Sequence, residues 1–564
     1  MKEKPVIYQV FTRLFGSHSM QCVSNGDSSQ NGCGKLNDFS YKALESIKSM
    51  GVTHIWYTGI IEHATQSDYS SYGIMKDHPS VVKGKAGSPY AIKDYYDIDP
   101  DLAVNVERRM NEFENLLVRT HRSGMKAIID FVPNHVARQY HSDAKPEGVV
   151  DLGECDDKSM NFSPNNNFYY INGTDFNPQF SLDDGTGTMY TESPCKATGN
   201  DYFSNNPGTN DWYETVKLNF GVDYCNGRSE HFDPIPDTWH KMLDILLFWA
   251  GKGVDGFRCD MAEMVPCAFW HWVIPQVKAS YPSVVFIAEI YNPQEYRNYI
   301  YNGGFDYIYD KVGLYDTLRV VSNGASASAI TSCWQHVDDI QGHMLNFLEN
   351  HDEQRISSPY FCGNAFKGLP ALLVSMLMRE NPVMIYFGQE LGEEGDYSEG
   401  FSGKDGRTTI FDYWTIDSIR RWRNGGEFNE QKLTPEEKQL RKYYKTVLQM
   451  CNKESAIREG EFYDVMFANY DNNEMNTNRQ YAFLRKYGKT LIVVIANFDS
   501  STVKTKVKIP ASAFDYMGID KDLGYVSAKD LLSGKSEDVT LSPDCCIETE
   551  LPGNGGKVLK IRIG

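Results

Sequence analysis

Eight short runs of β-branched and aromatic residues, each followed after a loop by a longer amphipathic stretch, recur through the first four-fifths of the 564-residue chain. They are 6–11 (VIYQVF), 52–58 (VTHIWYT), 126–132 (KAIIDFV), 254–259 (VDGFRC), 284–290 (VVFIAEI), 305–309 (FDYIY), 343–348 (HMLNFL) and 383–387 (VMIYF). Helical candidates fall at 39–50, 105–123, 236–251, 266–280, 325–338 and 364–379, with a closing pair near 418–424 and 433–451. Strands alternating with helices imply parallel pairing, because each crossover needs a dozen or more residues. Eight units is the count at which such a sheet closes into a (β/α)8 TIM barrel. The runs are apolar nearly throughout, as strands covered on both faces must be. An open doubly wound sheet would give a similar reading for six of them. Its Gly-rich phosphate turn is missing, since GNGGK at 553–557 follows no such unit.

Two segments break the alternation. Residues 136–233 are rich in Asn, Asp, Gly, Ser and Thr, with aromatics threaded through (NNNFYYING, DWYETVKLNF), and are too long for an ordinary loop. They read as a subdomain inserted after the third strand. From about 460 the pattern turns to short alternating strands between turns (QYAFLRKY, KTLIVVIANF, STVKTKVKIP, GKVLKIRI). The expected organisation is an α/β barrel from 1–135 and 234–455, an insertion at 136–233, and a C-terminal antiparallel β-sandwich at 456–564.

Charge narrows the partners. Lys plus Arg number 56 against 75 Asp plus Glu, a net charge of −19. Nucleic acid and anionic membranes both call for a basic face, so neither is expected as a partner. No apolar run approaches the ~20 residues of a membrane span. The opening MKEKPVIYQVF lacks an apolar signal core, which predicts a cytoplasmic protein as written; periplasmic or secreted placement stays open if a leader was removed. Twelve cysteines form no CxxC pair, and free thiols are expected, Cys22 and Cys33 being the pair that an oxidising compartment could join. Aromatics make up 13% of the chain, enough for a filled core and for flat faces that a flat ligand can stack on.

In a TIM barrel the reacting groups sit at the C-terminal ends of the strands. Those ends carry Asp130 with Asn134 and His135, Arg258 with Asp260, Glu289, and His351 with Asp352. Any one of these alone is more simply a turn or capping residue. Several at equivalent places are not. No Cys/His metal spacing and no GxSxG elbow is present. Carboxylates accompanied by two histidines and an arginine suit glycosidic cleavage, in which one carboxylate attacks the anomeric carbon and a second, protonated, donates to the leaving oxygen. Arg258 and Asp260, two apart on a strand, share a face, so a cation accompanies the attacking group.

The segments DFVPNH (130–135), GFRCD (256–260), FIAEI (286–290) and ENHD (349–352) resemble, in order, the four signature segments of the α-amylase family, glycoside hydrolase family 13. The resemblance covers nearly the whole chain, since that family also inserts a subdomain after the third strand and ends in a β-sandwich. It implies Asp260 as nucleophile, Glu289 as acid/base and Asp352 as the third, transition-state-stabilising carboxylate. It implies substrate contacts from Tyr90 (in SPYAIKDY), His135, Arg258, His351 and Arg355, and a structural part for Asp130. VKLN (216–219) resembles the family's fifth segment, with Lys217 closer to the neopullulanase-like form. The implied activity is a retaining hydrolase acting on α-glucosidic, mainly α-1,4, bonds of starch-type glucans or maltooligosaccharides. A transglycosylase and an exo-acting α-glucosidase are the alternatives on the same residues, and a non-catalytic sugar-binding relative is disfavoured by the three retained carboxylates.

This sequence departs from the family pattern in places that bear on specificity. Glu263 and Met264 stand where many α-amylases carry Lys-His, and Ala91 stands where exo-acting α-glucosidases carry Asp, while Arg355 keeps those enzymes' Arg position. The missing Asp leans towards internal cleavage. No organic cofactor is expected. Structural calcium is implied at Asn134, which matches a family ligand, and more weakly in NGDSSQNG (25–32), where Asn25, Asp27 and Asn31 resemble a calcium loop but also suit a plain Gly/Asn turn. The oligomeric state is not legible.

Overall fold

The computed structural model describes residues 3–563 apart from 184 and 186. Eight parallel strands close into a barrel: β1 (Val6–Phe11), β2 (His54–Thr58), β3 (Lys126–Phe131), β4 (Gly256–Cys259), β5 (Val285–Ala288), β6 (Tyr307–Tyr309), β7 (Met344–Phe347) and β8 (Val383–Tyr386). All eight runs read from the sequence are strands of this barrel. β1 closes it by pairing with both β2 and β8.

Alternation along each strand sorts side chains between two layers. Ile7, Trp56, Ile128, Ile287, Tyr309, Leu345, Phe347 and Met384 point inward and form a closed internal cluster. Their strand neighbours, such as Tyr8, Ile55, Tyr57, Ile129 and Phe286, pack outward against the helices. Truncating one of the inward group, for example Leu345→Ala, is expected to cost about 2–5 kcal/mol through the cavity left behind. β4 puts Arg258 in this interior instead of an aliphatic residue, and the register sets it beside Asp130 of β3 and Ile287 of β5.

The helices follow from their apolar spacing. In Arg109–Arg122 the buried Phe113, Leu116, Leu117 and Thr120 recur at helical intervals along one face. Tyr41–Lys48 begins at Ser40, whose hydroxyl accepts from the Ala43 amide. The expected helix at 325–338 is shorter (Ala329–His336) and is preceded by another, Asp316–Ser322. Gly324, at φ +111°, separates them, a backbone conformation open mainly to glycine.

The described residues of 136–233 form two- and three-residue strands among long connections, such as Thr215–Lys217 paired with His135–Ala137 and Tyr170–Ile171 with Cys195–Lys196. Buried Arg138 organises the segment, with Glu192 at 2.8 Å and the Thr198 hydroxyl at 2.7 Å. The C-terminal region is all-β apart from short helices, with a six-stranded antiparallel sheet and a two-stranded one. Arg485 fastens it to the barrel through the Met378 carbonyl at 2.7 Å. All twelve cysteines, Cys22 and Cys33 included, are free. No helix of the described residues is long and apolar enough to cross a membrane.

Candidate active site

The barrel's hydrogen-bond ladder continues past the strand ends and places the reactive groups. The Asp260 amide donates to the Phe131 carbonyl at 2.9 Å and the Glu289 amide to the Cys259 carbonyl at 3.2 Å. Consecutive strands thereby deliver the two carboxylates to one rim. Together with Asp352, Tyr90 and His135 they line a cavity of about 370 Å³, whose wall also includes Lys83, Trp212 and Tyr291.

Arg258 is the cation at the floor, with no exposed surface. Its Nη1 donates to Asp260 at 2.6 Å and lies 3.5 Å from Asp130, and its Nη2 is 2.8 Å from Glu289. The Nε group donates to the Tyr309 hydroxyl at 3.1 Å. Only the Asp260 contact joins Arg258 to a cavity-lining carboxylate with hydrogen-bond geometry. Asp130 is held away from the cavity by the Trp56 indole N–H at 3.0 Å. Glu289 accepts from the Met261 amide and from the Tyr291 hydroxyl, both at 2.7 Å.

A second network fixes Tyr90 and Asp352. The Tyr90 hydroxyl meets His351 Nε2 at 2.6 Å, and the two rings stack at 5.1 Å. The same Nε2 is 3.0 Å from Asp352, while Gln9 from β1 holds His351 Nδ1 at 2.8 Å. Burial pushes the Asp352 carboxyl up, but His351, Arg258 and Arg407 outweigh it and bring it to about 2. Burial, followed by the Glu289 charge, drives Asp260 upward against the pull of Arg258. His135 falls to about 3 through burial, reinforced by Lys217 and Lys83, so its imidazole is neutral.

Residues 23–460 match the model of the α-amylase catalytic domain, and 470–559 match the α-amylase C-terminal all-β domain. The chain belongs to the α-amylase family. Among its relatives, Alpha-amylase 3 of Dictyoglomus thermophilum is 25% identical over 483 residues, covering 81% of this chain and 78% of that protein. Neopullulanase 2 of Thermoactinomyces vulgaris is 23% identical, over 70% of this chain and 57% of that protein. Alpha-amylase MalA of Haloarcula japonica is 24% identical, over 70% and 45%. The chain thus spans about half the length of the last two. A maltogenic α-amylase of Thermotoga neapolitana shares the fold at TM-score 0.61 and 20% identity, with 100% of this chain and 99% of that one covered. So does the Geobacillus thermoleovorans α-amylase solved with acarbose, at 0.62 and 16%, over 99% and 98%. This chain is accordingly an α-amylase-family glycoside hydrolase with that family's barrel and C-terminal β domain.

Three expectations drawn from the family resemblance meet a different geometry. Arg355 does not line the cavity; it is fully buried and bound to Glu349 at 2.8 Å, the Phe387 carbonyl at 2.9 Å and the Thr408 hydroxyl at 2.8 Å. These contacts hold it in the barrel core, with its Nη2 left without a hydrogen-bond partner. Asn134 does not fit a calcium ion, because its side-chain oxygen accepts from the Lys217 ammonium. That ammonium also meets Asp201 at 2.7 Å and the Met264 carbonyl at 3.2 Å. A tethered cation fills the oxygen cage, and a second would be repelled. Asp27 is a helix cap: it accepts from the Ser29 amide at 2.9 Å, the Gln30 amide at 3.1 Å and the Ser29 hydroxyl at 2.6 Å. Asn31 is buried, its amide donating to the Tyr413 carbonyl at 2.9 Å, so 25–32 is a turn leading into the one-turn helix Ser28–Asn31.

The positions that depart from the family pattern have local uses. Glu263 receives the amides of Tyr291 and Asn292 at 3.2 and 3.1 Å, and Ala91 is sealed into a small apolar cluster with Ala64, Val82 and Ala137. Tyr291, Lys83 and Trp212 were not singled out by sequence. Tyr291 stands two residues beyond Glu289, and that i+2 spacing at a strand end was the available signal.

Proposed function

We propose that the chain is a retaining glycoside hydrolase that cleaves α-glucosidic bonds, mainly α-1,4, in starch-type glucans or maltooligosaccharides. The observation that carries this reading is that Asp260, Glu289 and Asp352 line one cavity while Arg258 donates a hydrogen bond to Asp260 alone of the three. Arg258, 2.6 Å from Asp260, pulls against the upward push of burial and the Glu289 charge on that carboxyl and so works towards the charged form that attacks. Glu289 protonates the glycosidic oxygen as Asp260 bonds to the anomeric carbon and the leaving sugar departs. A water then gives its proton to Glu289 and attacks the same carbon, freeing Asp260. Asp352, charged beside His351, steadies the positive character of the sugar ring and its hydroxyls. Tyr90 offers a ring face to the sugar and neutral His135 a hydrogen bond, while His351 holds Tyr90 and Asp352 in place. With acid, base and nucleophile all supplied by side chains, this route uses no organic cofactor.

The net charge of −19 suits a neutral polymer, and a structural relative was solved with acarbose. Proton NMR of maltoheptaose cleavage tests the reading. The first-formed reducing sugar is expected as the α anomer and is lost in Asp260→Asn. A β anomer, or substantial turnover by the variant, refutes it, and products longer than the substrate would place the enzyme with the transglycosylases.

A further inference from the structure

Glu62 is 1% exposed, and neither of its carboxylate oxygens has a hydrogen-bond partner. It lies on the strand Ile61–His63, directly opposite Asp94 of the antiparallel strand Ile92–Ile98. Like charges in that position destabilise a strand pair, and here both are buried. Asp94 and Asp97, three apart, would face opposite ways on a regular strand. The register instead slips, Ile61 pairing with Ile98 and Glu62 with Asp94, and Asp97 comes round to join them. One oxygen from each of Glu62, Asp94 and Asp97 lies within 4.8 Å of the others, the one such convergence among the described residues.

The charges do not balance. Arg109 answers Asp97, its Nε lying 2.9 Å from the carboxylate. The neighbouring lysine is committed elsewhere, Lys93 lying 3.1 Å from Asp77, and the His63 ring turns its Nδ1 to Asp99 at 2.8 Å. Two negative charges of the three remain. A proton shared between Glu62 and Asp94 would remove one of them, whereas a divalent cation removes both.

We propose that Glu62, Asp94 and Asp97 hold one hard divalent cation of the calcium class. Carboxylate oxygens alone select Ca²⁺ or Mg²⁺ over zinc or copper, and Ca²⁺ accepts irregular coordination more readily. Asp94 is already oriented by the Ser142 hydroxyl at 2.6 Å and the Ala144 amide at 2.9 Å, at the start of the inserted segment. The ion would pin that segment to the strand that follows Tyr90, and it is separate from the Lys217 cage.

The test uses the full chain, stripped with EDTA, dialysed, and reloaded with CaCl2 or MgCl2. Metal content by mass spectrometry is expected at about one ion per chain, with a rise in Tm on loading. Glu62→Gln, the isostere of a protonated carboxyl, should lose both. A wild-type chain that takes up neither ion and keeps the same Tm overturns the proposal, as does Glu62→Gln retaining the ion. If that variant fails to fold, wild-type uptake and Tm decide the question alone.

Discussion

The ammonium of Lys217 donates to the side-chain oxygen of Asn134, the atom that the family resemblance assigns to calcium. Lys217 is 2% exposed in its side chain and also pairs with Asp201, so three oxygens from separate stretches of chain close around one tethered charge. Lys217→Met keeps the length and removes the charge. It is expected to cost about 3 kcal/mol, the lower end of the range for breaking a buried pair, because Asp201 retains access to water. Urea denaturation measures it, and an unchanged midpoint contradicts this role.

Asp260 and Glu289 stand on adjacent strand ends, and a substrate that needs no protonation separates their proposed roles. On maltooligosaccharides Glu289→Gln should lower kcat by ~10²–10⁴. On a 4-nitrophenyl glycoside, whose leaving group departs without a proton, most of the loss in the bond-breaking step should vanish. Asp260→Asn should be inactive on both. Equal losses of Glu289→Gln on the two substrates, followed by pre-steady-state release of nitrophenol, would remove the acid from this assignment.

The barrel was legible because eight apolar runs can bury both faces only in a parallel, helix-covered sheet, and the site because Asp260, Glu289 and Asp352 follow those runs at equivalent places. What stayed hidden was set by partners far along the chain. Nothing near Asn134 announces that Lys217 will reach its oxygen, and nothing near Arg355 announces that the Phe387 carbonyl and Thr408 will take its guanidinium. The strands Gly524–Asp530 and Ser536–Leu541 were missed because exposed polar residues alternate with few apolar ones, so their β-structure depends on pairing with each other and on Gly524–Asp530 joining Gly555–Arg562.

Acid sensitivity should start well above the carboxylate range. His54 and His135 are both depressed to about 3, chiefly by burial and further by nearby lysines. An unfolded histidine titrates near ~6.5, so between that pH and 3 the unfolded chain binds more protons than the folded one. The contribution of each of these histidines is therefore full above ~6.5 and falls as pH drops, by about 2 kcal/mol each at pH 5. Asp352, held at about 2, adds a loss only below the ~3.9 of a free Asp. Urea midpoints at pH 7 and 5 should differ less in His135→Gln than in wild type. An identical pH dependence would show that His135 titrates normally.

Tyr90 combines a ring face with a hydroxyl, and the two uses can be pulled apart. Tyr90→Phe keeps the stacking surface and removes the contacts to His351 at 2.6 Å and Asp130 at 3.4 Å. Because His351 also faces Asp352 at 3.0 Å, the loss loosens the group that steadies the third carboxylate. A buried hydrogen bond left unmade costs about 1–3 kcal/mol, so kcat is expected to fall about 10-fold or more with KM little changed. Tyr90→Ala removes the ring as well and should raise KM in addition to lowering kcat. If Tyr90→Phe instead raises KM at constant kcat, the hydroxyl binds ground-state sugar and does not act through His351.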